Sequence, residues 1–138
     1  MNIVLDANIF IAALMGSRSH IVIITSYHHK FYAPRKIIEE IKKHKEYICE
    51  RSGYTSEEFD AAFNALVVFV KLMERSEYNA FFKQAKHALE KRDLKDADYV
   101  ACAQVVHADF IWTNDKDFSV QNLVKTKTTQ EFIDTQKK

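Results

Sequence analysis

Short apolar runs alternate with longer segments of helical periodicity along nearly the whole chain. The apolar runs predict five strands, at residues 1–5, 31–33, 69–73, 110–112 and 123–126. The first run is apolar throughout, which suits a central parallel strand covered on both faces. The run at 65–73 is ambiguous, but its β-branched residues favour a helix that yields to a strand near residue 69.

The segments between these runs predict helices at residues 9–15, 21–27, 35–50 and 77–91. They also predict a helix that begins at residue 55, one that ends at residue 106 and one that begins at residue 129. Local signals support several of them: Asn8 suits a cap, Pro34 suits a first helical position, and Thr55 with Glu58 forms a capping box. Strands separated by helices predict an α/β fold, a three-layer α/β/α sandwich with a central parallel sheet of about five strands.

Length and composition favour one domain over residues 1–138, because 138 residues with 47% hydrophobic content can build a single core. The net charge of +1 means that nucleic acid would have to be bound by a local basic patch. Cys49 and Cys102 lack metal-ligand spacing and are expected to be buried free thiols. No apolar run approaches the ~18 residues of a membrane-spanning helix, so we expect a cytoplasmic protein with no membrane partner.

Acidic residues stand where predicted strands end and a predicted helix begins. Asp6 directly follows the first strand, Asp115 and Asp117 follow the fourth, and Asp96 opens the helix before it. Each acid alone has an ordinary explanation as a helix cap, a first-turn charge or a turn residue. In open α/β sheets, however, functional groups gather at the carboxyl ends of strands. The joint placement of these acids therefore predicts that they converge on one site.

The acids that open this helix, Asp93, Asp96 and Asp98, cannot all face that site. Residues two apart differ by about 200° around a helix, so Asp96 and Asp98 point in different directions. Residues three apart can share a side, as Asp93 and Asp96 would.

A cluster of carboxylates needs a cation. Two carboxylates about 4 Å apart repel by roughly 4 kcal/mol at an effective dielectric near 20. Mg²⁺ prefers oxygen ligands, keeps several waters and accepts substrate phosphates. No His or Cys accompanies these acids at zinc spacing. The pattern therefore indicates metal-assisted attack of water on a phosphodiester.

Four stretches, in this order along the chain, resemble the PIN-domain nucleases. They are V-L-D-A-N-I-F at 4–10, I-I-E-E-I-K-K-H at 37–44, D-L-K-D-A-D-Y-V-A-C-A at 93–103 and W-T-N-D-K-D-F at 112–118. The resemblance implies a single-domain ribonuclease dependent on Mg²⁺ or Mn²⁺, with a five-stranded parallel sheet of order 3-2-1-4-5. Many small prokaryotic members are toxins of VapC type, so it also implies RNA as substrate and an antitoxin protein as a possible partner.

The family's catalytic and metal-binding acids would fall on Asp6, Glu40, Asp96 and Asp115. Glu40 is preferred to Glu39 because it directly precedes Ile41, as in the family pattern, and Glu39 is then solvated. Asp98 falls where relatives usually have an uncharged residue and is predicted to lie on an outer face. The positions that would support the site are Asn8, Asp93, Thr113, Asn114 and Asp117.

Two further expectations concern binding partners. Three basic residues nearest the acids, Lys36, Arg92 and Lys116, are candidates for holding RNA phosphates. A homodimer is expected because small PIN toxins commonly pair and because the large apolar helix residues are expected to exceed what one sandwich can bury. These residues are Ile21, Ile23, Ile24, Phe59, Phe63, Phe81 and Phe82.

Two other classes of protein stay open. A non-catalytic RNA- or protein-binding module could keep the fold without activity, although the presence of all four acids argues against it. An aspartyl-phosphate protein fits poorly: a receiver needs its phosphorylated Asp after the third strand, and a haloacid-type phosphatase needs D-x-D after the first. Here that position is Asp6-Ala7-Asn8.

Overall fold

Five parallel strands form the central sheet of the protein. The computed structural model describes residues 1–89 and 96–136. The strands are β1 (Asn2–Leu5), β2 (Lys30–Pro34), β3 (Val70–Met73), β4 (Phe110–Trp112) and β5 (Thr126–Lys127). Their order across the sheet is β3-β2-β1-β4-β5, and every neighbouring pair is parallel. The predicted sheet order 3-2-1-4-5 and the α/β/α class are confirmed.

The apolar character of β1 follows from its central place. Ile3 pairs with Phe31 of β2 on one side and with Phe110 of β4 on the other, and all three side chains are buried. The strand predicted near residue 69 is also present, because β3 begins at Val70 directly after a helix that ends at Val67.

Helices connect the strands. They are α1 (Ala7–Leu14), α2 (Arg18–Thr25), α3 (Ile37–Lys43), α4 (Lys45–Ser52), α5 (Ser56–Val67), α6 (Arg75–Ala88), α7 (Ala97–Val105) and α8 (Thr129–Gln136), with a 3-10 helix at Lys116–Val120. The capping box of α5 is present as predicted, since the Thr55 and Glu58 side chains each bind the other's backbone amide.

The prediction of a single helix over residues 35–50 is wrong, because the helix is interrupted at His44, between α3 and α4. His44 has φ −99° and ψ 7°, outside the helical values, and its amide bonds to the Ile41 carbonyl. Ile41 and Ile48 are both fully buried. The break therefore lets each short helix turn its own apolar residue toward the core.

The last strand is displaced from its predicted position at 123–126. The side-chain amide of Gln121 binds both backbone groups of Val124, donating to its carbonyl at 2.6 Å and accepting from its N–H at 2.9 Å. Those backbone groups are unavailable to a ladder, so pairing with β4 begins only at Thr126.

The apolar residues expected to form a dimer surface lie in or against the core. Ile24, Phe59 and Phe63 are buried, and the other four are half-buried and pack on the core cluster. The packing argument for a dimer therefore fails, and the dimer stays a prediction that rests on resemblance. The large apolar side chains that are exposed in the described residues are Met1, Met15, Val22, Tyr27, Tyr47 and Val68.

Within the described residues no individual helix has the length and apolar character to cross a membrane. Among these residues, α1 and α2 taken together have the required length and composition, but the two helices are bent by 111° relative to each other.

Candidate functional site

A cavity of about 230 Å³ opens beside the carboxyl ends of β1 and β4. It brings together the four acids predicted to act jointly, although they come from distant parts of the chain. The residues that line it are Asp6, Ala7, Asn8, Glu40, Lys43, His44, Asp96, Tyr99, Asp115 and Phe118. We call this space the acidic cavity.

Asp6 lies between β1 and α1 and caps the helix. Its Oδ1 accepts a hydrogen bond from the Ile9 amide at 3.0 Å, and its extended backbone (φ −91°, ψ 172°) is that of an N-cap. The prediction that Asn8 caps this helix is wrong, because Asn8 is already inside α1. Asn8 is exposed at the mouth of the acidic cavity.

The surroundings of Asp6 favour its neutral form. Burial raises the pKa of its carboxyl from the ordinary 3.8 to about 6. Hydrogen bonds from the Thr113 hydroxyl and the Ile9 amide oppose that rise, whereas the charges of Asp115 and Glu40 add to it. A cation in the cavity would therefore be attracted by Asp6 and would favour its ionised form.

Thr113 joins the carboxyl ends of β1 and β4. Its hydroxyl donates to Asp6 Oδ2 and accepts from the backbone amide of Asp115 at 3.0 Å. Asp115 then caps the 3-10 helix, because its Oδ1 accepts from the Asp117 amide at 2.9 Å. One buried hydroxyl thus fixes Asp6 and Asp115 relative to each other, which suits the predicted supporting position of Thr113. Asp117 contributes to this arrangement through its backbone.

Glu40 reaches the acidic cavity from α3. Its Oε2 accepts from the hydroxyl of Tyr99 at 3.0 Å, and its Oε1 lies 3.4 Å from Lys36 Nζ. Burial, together with the charge of Glu40, raises the pKa of Tyr99 well above its usual range, so this hydroxyl is a hydrogen-bond donor at neutral pH. The adjacent Glu39 is exposed and does not line this cavity.

Asp96 and Asp98 flank the start of α7 and face different surroundings. Asp96 is the N-cap residue and lines the acidic cavity. Asp98 was predicted to lie on an outer face, but it is buried, with 8% of its surface exposed. It accepts a hydrogen bond from Tyr78 at 2.6 Å and lies 3.0 Å from Lys36 Nζ and 3.6 Å from an Arg75 nitrogen. These partners make a buried carboxylate tolerable.

Several predicted supporting residues lie elsewhere or outside the description. Asn114 does not line the acidic cavity, because its side chain binds Thr129 at the start of α8. Lys36, predicted to hold phosphate, pairs instead with Glu40 and Asp98. Lys116 is exposed and is not among the lining residues. Arg92 and Asp93 fall outside the described residues.

Three polar residues of the cavity wall were not predicted from the sequence. Lys43 and His44 reach it because α3 ends at the break that had been predicted as continuous helix. Tyr99 reaches it because it lies three residues after Asp96, on the same side of α7. That spacing was the one available signal, and it was hidden by the ordinary expectation that a Tyr in an apolar run belongs to the core.

The donor set fits a hard divalent cation, since the acids offer oxygen ligands alone. Within residues 1–89 and 96–136, however, no group of three or more His, Cys, Asp or Glu side chains is arranged to hold a metal ion directly. Mg²⁺ commonly keeps several waters and takes only one or two carboxylates. The cavity therefore suits an ion held partly through water.

The fold, the site geometry and the sequence agree on a family. Residues 4–136 match the PIN domain, and the protein belongs to this family, whose members are generally nucleases. Among solved structures, a chain of VapBC2 from Rickettsia felis, determined bound to a DNA fragment from their promoter, has a TM-score of 0.71 and 12% sequence identity. The match covers 93% of this protein and 98% of that chain, and it shows a shared fold. No curated protein matches the sequence.

Proposed function

We propose that this protein is a ribonuclease that hydrolyses phosphodiester bonds of single-stranded RNA with the help of Mg²⁺ or Mn²⁺. The observation that carries the proposal is the convergence of Asp6, Glu40, Asp96 and Asp115 on one cavity at the carboxyl edge of the sheet. Membership of a nuclease family supports the same reaction class.

The residues divide into an acidic and a basic part. Asp6, Asp96 and Asp115 would hold the divalent ion, in part through water, and Glu40 would complete the site directly or through water. A bound ion would supply Lewis-acid stabilisation of the charge on the phosphodiester and make water a stronger nucleophile. Lys43 and His44, which line the same cavity, would hold the phosphate of the substrate.

The reaction leaves defined ends on the RNA. Water attacks phosphorus, the bond to the 3′-oxygen breaks, and that oxygen leaves as a hydroxyl after taking up a proton. The products are a 3′-hydroxyl and a 5′-phosphate. Because the 2′-hydroxyl takes no part, no 2′,3′-cyclic phosphate forms.

End-labelled single-stranded RNA incubated with the purified protein tests the proposal. We expect cleavage with Mg²⁺ or Mn²⁺, no cleavage in EDTA, and products that a 5′-phosphate-dependent exonuclease degrades. Cleavage that persists in EDTA, or a cyclic-phosphate product, would contradict it. A single-stranded DNA oligonucleotide of the same sequence serves as the control for substrate class.

A non-catalytic PIN-fold module that binds RNA or protein is the second candidate. The observation that favours it is that no three described acidic, His or Cys side chains are arranged to hold a metal ion. Calorimetric titration with Mn²⁺ separates the two candidates. Binding that is lost in an Asp6→Asn, Asp115→Asn variant supports the nuclease, whereas no binding to the unaltered protein supports the module.

An antitoxin protein as partner and a role as the toxin of a toxin–antitoxin pair are part of the same proposal, supported by the fold shared with a VapBC2 chain. A homodimer and a cytoplasmic location stay predictions. Light scattering over a range of concentrations tests the dimer, and a persistent monomer would contradict it.

A further inference from the structure

The carboxylate of Glu40 is held on both of its oxygens. The Tyr99 hydroxyl donates to Oε2 at 3.0 Å from α7, and Nζ of Lys36, the N-cap residue of α3, lies 3.4 Å from Oε1. The Glu40 side chain is 31% exposed. A side chain with that much access to water would sample several rotamers unless such partners held it.

Lys36 is itself held in place by Asp98. Its Nζ lies closer to Asp98, at 3.0 Å, than to Glu40, and Asp98 is fixed by the Tyr78 hydroxyl at 2.6 Å. Lys36 Nζ also lies 5.5 Å from the centre of the Tyr99 ring. The ammonium group is thus placed by α7 as well as by its own helix.

Tyr99 is built into the core up to its hydroxyl. The residue is 2% exposed, and its ring meets that of Phe118 edge-on at 6.1 Å. A ring fixed in this way gives its hydroxyl one direction, which is toward Glu40. The donor is therefore pre-organised, so that orienting the carboxylate requires little rearrangement.

We propose that Tyr99 and Lys36 are positioning residues that fix the Glu40 carboxylate on the wall of the acidic cavity, with Asp98 holding Lys36. We call the four residues the Glu40 brace. The effect of the brace on catalysis rests on the proposed ribonuclease function, whereas its existence in the metal-free protein does not. The same geometry assigns Lys36 to the carboxylates rather than to substrate phosphate.

Tyr99→Phe tests the brace because it keeps the packed ring and removes only the donor. We expect kcat for RNA cleavage to fall about tenfold while KM changes less than about twofold, as for groups that orient a ligand from behind. The metal-free variant should unfold roughly 3–5 °C lower, since one buried hydrogen bond is lost.

Tyr54→Phe is the matched control. The Tyr54 hydroxyl donates to the Leu14 carbonyl at 2.8 Å, and Tyr54 does not line the acidic cavity. This variant loses a hydrogen bond of the same kind, so it should show a similar thermal shift with unchanged kcat.

A double-mutant cycle with Glu40→Ala separates a role through Glu40 from a general structural role. Without its acceptor, the Tyr99 hydroxyl has nothing to orient. Tyr99→Phe should then add less than about 1 °C to the thermal shift and no further loss of kcat. If the two thermal shifts simply add in the metal-free protein, the brace is wrong, whether or not the protein cleaves RNA.

Lys36→Met gives a second route if Tyr99→Phe fails to fold. It keeps most of the apolar stem and removes the charge, and it should lower kcat with little change in KM. A rise in KM alone would instead identify Lys36 as a phosphate contact and overturn its assignment to the brace. If the unaltered protein shows no cleavage, the proposed function fails, and the thermal cycle still decides the brace.

Discussion

Two buried aspartates, Asp6 and Asp98, differ in what surrounds them. Asp98 has two cations and a hydroxyl, from Lys36, Arg75 and Tyr78. The partners of Asp6 are neutral, a hydroxyl and a backbone amide, and the charges that act on it are those of other carboxylates. The protein supplies Asp98 with compensating cations, whereas the carboxylates around Asp6 add to the cost of ionising it.

On the basis of this difference we propose a structural role for Asp98 and a functional role for Asp6. Both residues are buried acids at the start of a helix, α1 for Asp6 and α7 for Asp98, so burial alone does not distinguish them. A carboxylate paired with Lys and Arg stabilises the fold when it is charged. A carboxylate whose pKa is raised by burial and by like charges weakens the fold when charged, and such groups cluster at functional sites.

The largest effect should come from neutralising the acids of the cavity. Asp6→Asn or Asp115→Asn keeps the side-chain size and the cap but removes a charge, and we expect RNA cleavage to fall roughly 100- to 1,000-fold. Asp60→Asn is the control, because this exposed acid pairs with Lys45 on the surface and does not line the acidic cavity. Retention of full activity in both cavity variants would remove the distinction between Asp6 and Asp98.

Removing Asp98 should instead damage the fold. Asp98→Ala leaves the Tyr78 hydroxyl without its acceptor and removes a carboxylate that lies within 4 Å of both Lys36 and Arg75. Because Lys36 and Arg75 are 27% and 51% exposed, solvent screens part of the penalty, and we expect a loss of about 2–3 kcal/mol. Urea unfolding measures it. Glu74→Ala, which breaks an exposed pair with Arg35, should change stability by less than about 1 kcal/mol.

The smallest effect is the pH dependence contributed by Asp6 in the metal-free protein. Its folded pKa of about 6 exceeds the ordinary 3.8, so the folded state binds the proton more tightly than the unfolded state. Stability therefore falls as pH rises between about 4 and 6 and stays lower above that range, by roughly 2 kcal/mol.

Asp6→Asn removes this titration while keeping a side-chain oxygen that accepts from the Ile9 amide; its amide nitrogen, which replaces Oδ2, donates to the Thr113 hydroxyl instead of accepting from it. The difference in unfolding free energy between variant and unaltered protein should therefore shift in favour of the variant as pH rises from 4 to 7. A difference that is constant with pH would contradict the assigned surroundings of Asp6.

The sequence predicted those parts of the fold and site that depend on neighbouring residues. An apolar strand followed at once by an acid located Asp6, and the capping box located the start of α5. The elements that it missed depend on contacts far apart in the chain. Tyr99 and Glu40 are separated by 59 positions, and the break at His44 depends on how Ile41 and Ile48 reach the core.

The surroundings of Asp98 also could not be predicted from local sequence. Helical geometry correctly separated its direction from that of Asp96, but it could not say what lay on that side. The cations that pair with Asp98 are Arg75, at the start of α6, and Lys36, the residue before α3. No local sequence pattern brings these two residues together. The catalytic assignment of the four acids stays a prediction that the variants above test.

The side chain of Gln121 also bears on how the protein behaves at high concentration. Edge strands with free backbone groups are templates for pairing between molecules, and this is a common start of aggregation. At the β5 edge, the ladder is only two residues long, and the Gln121 amide takes the backbone groups of Val124 just before it. The Gln121 side chain therefore occupies hydrogen-bonding groups that a neighbouring strand could otherwise bind. Few free backbone groups remain at this edge for pairing with another molecule.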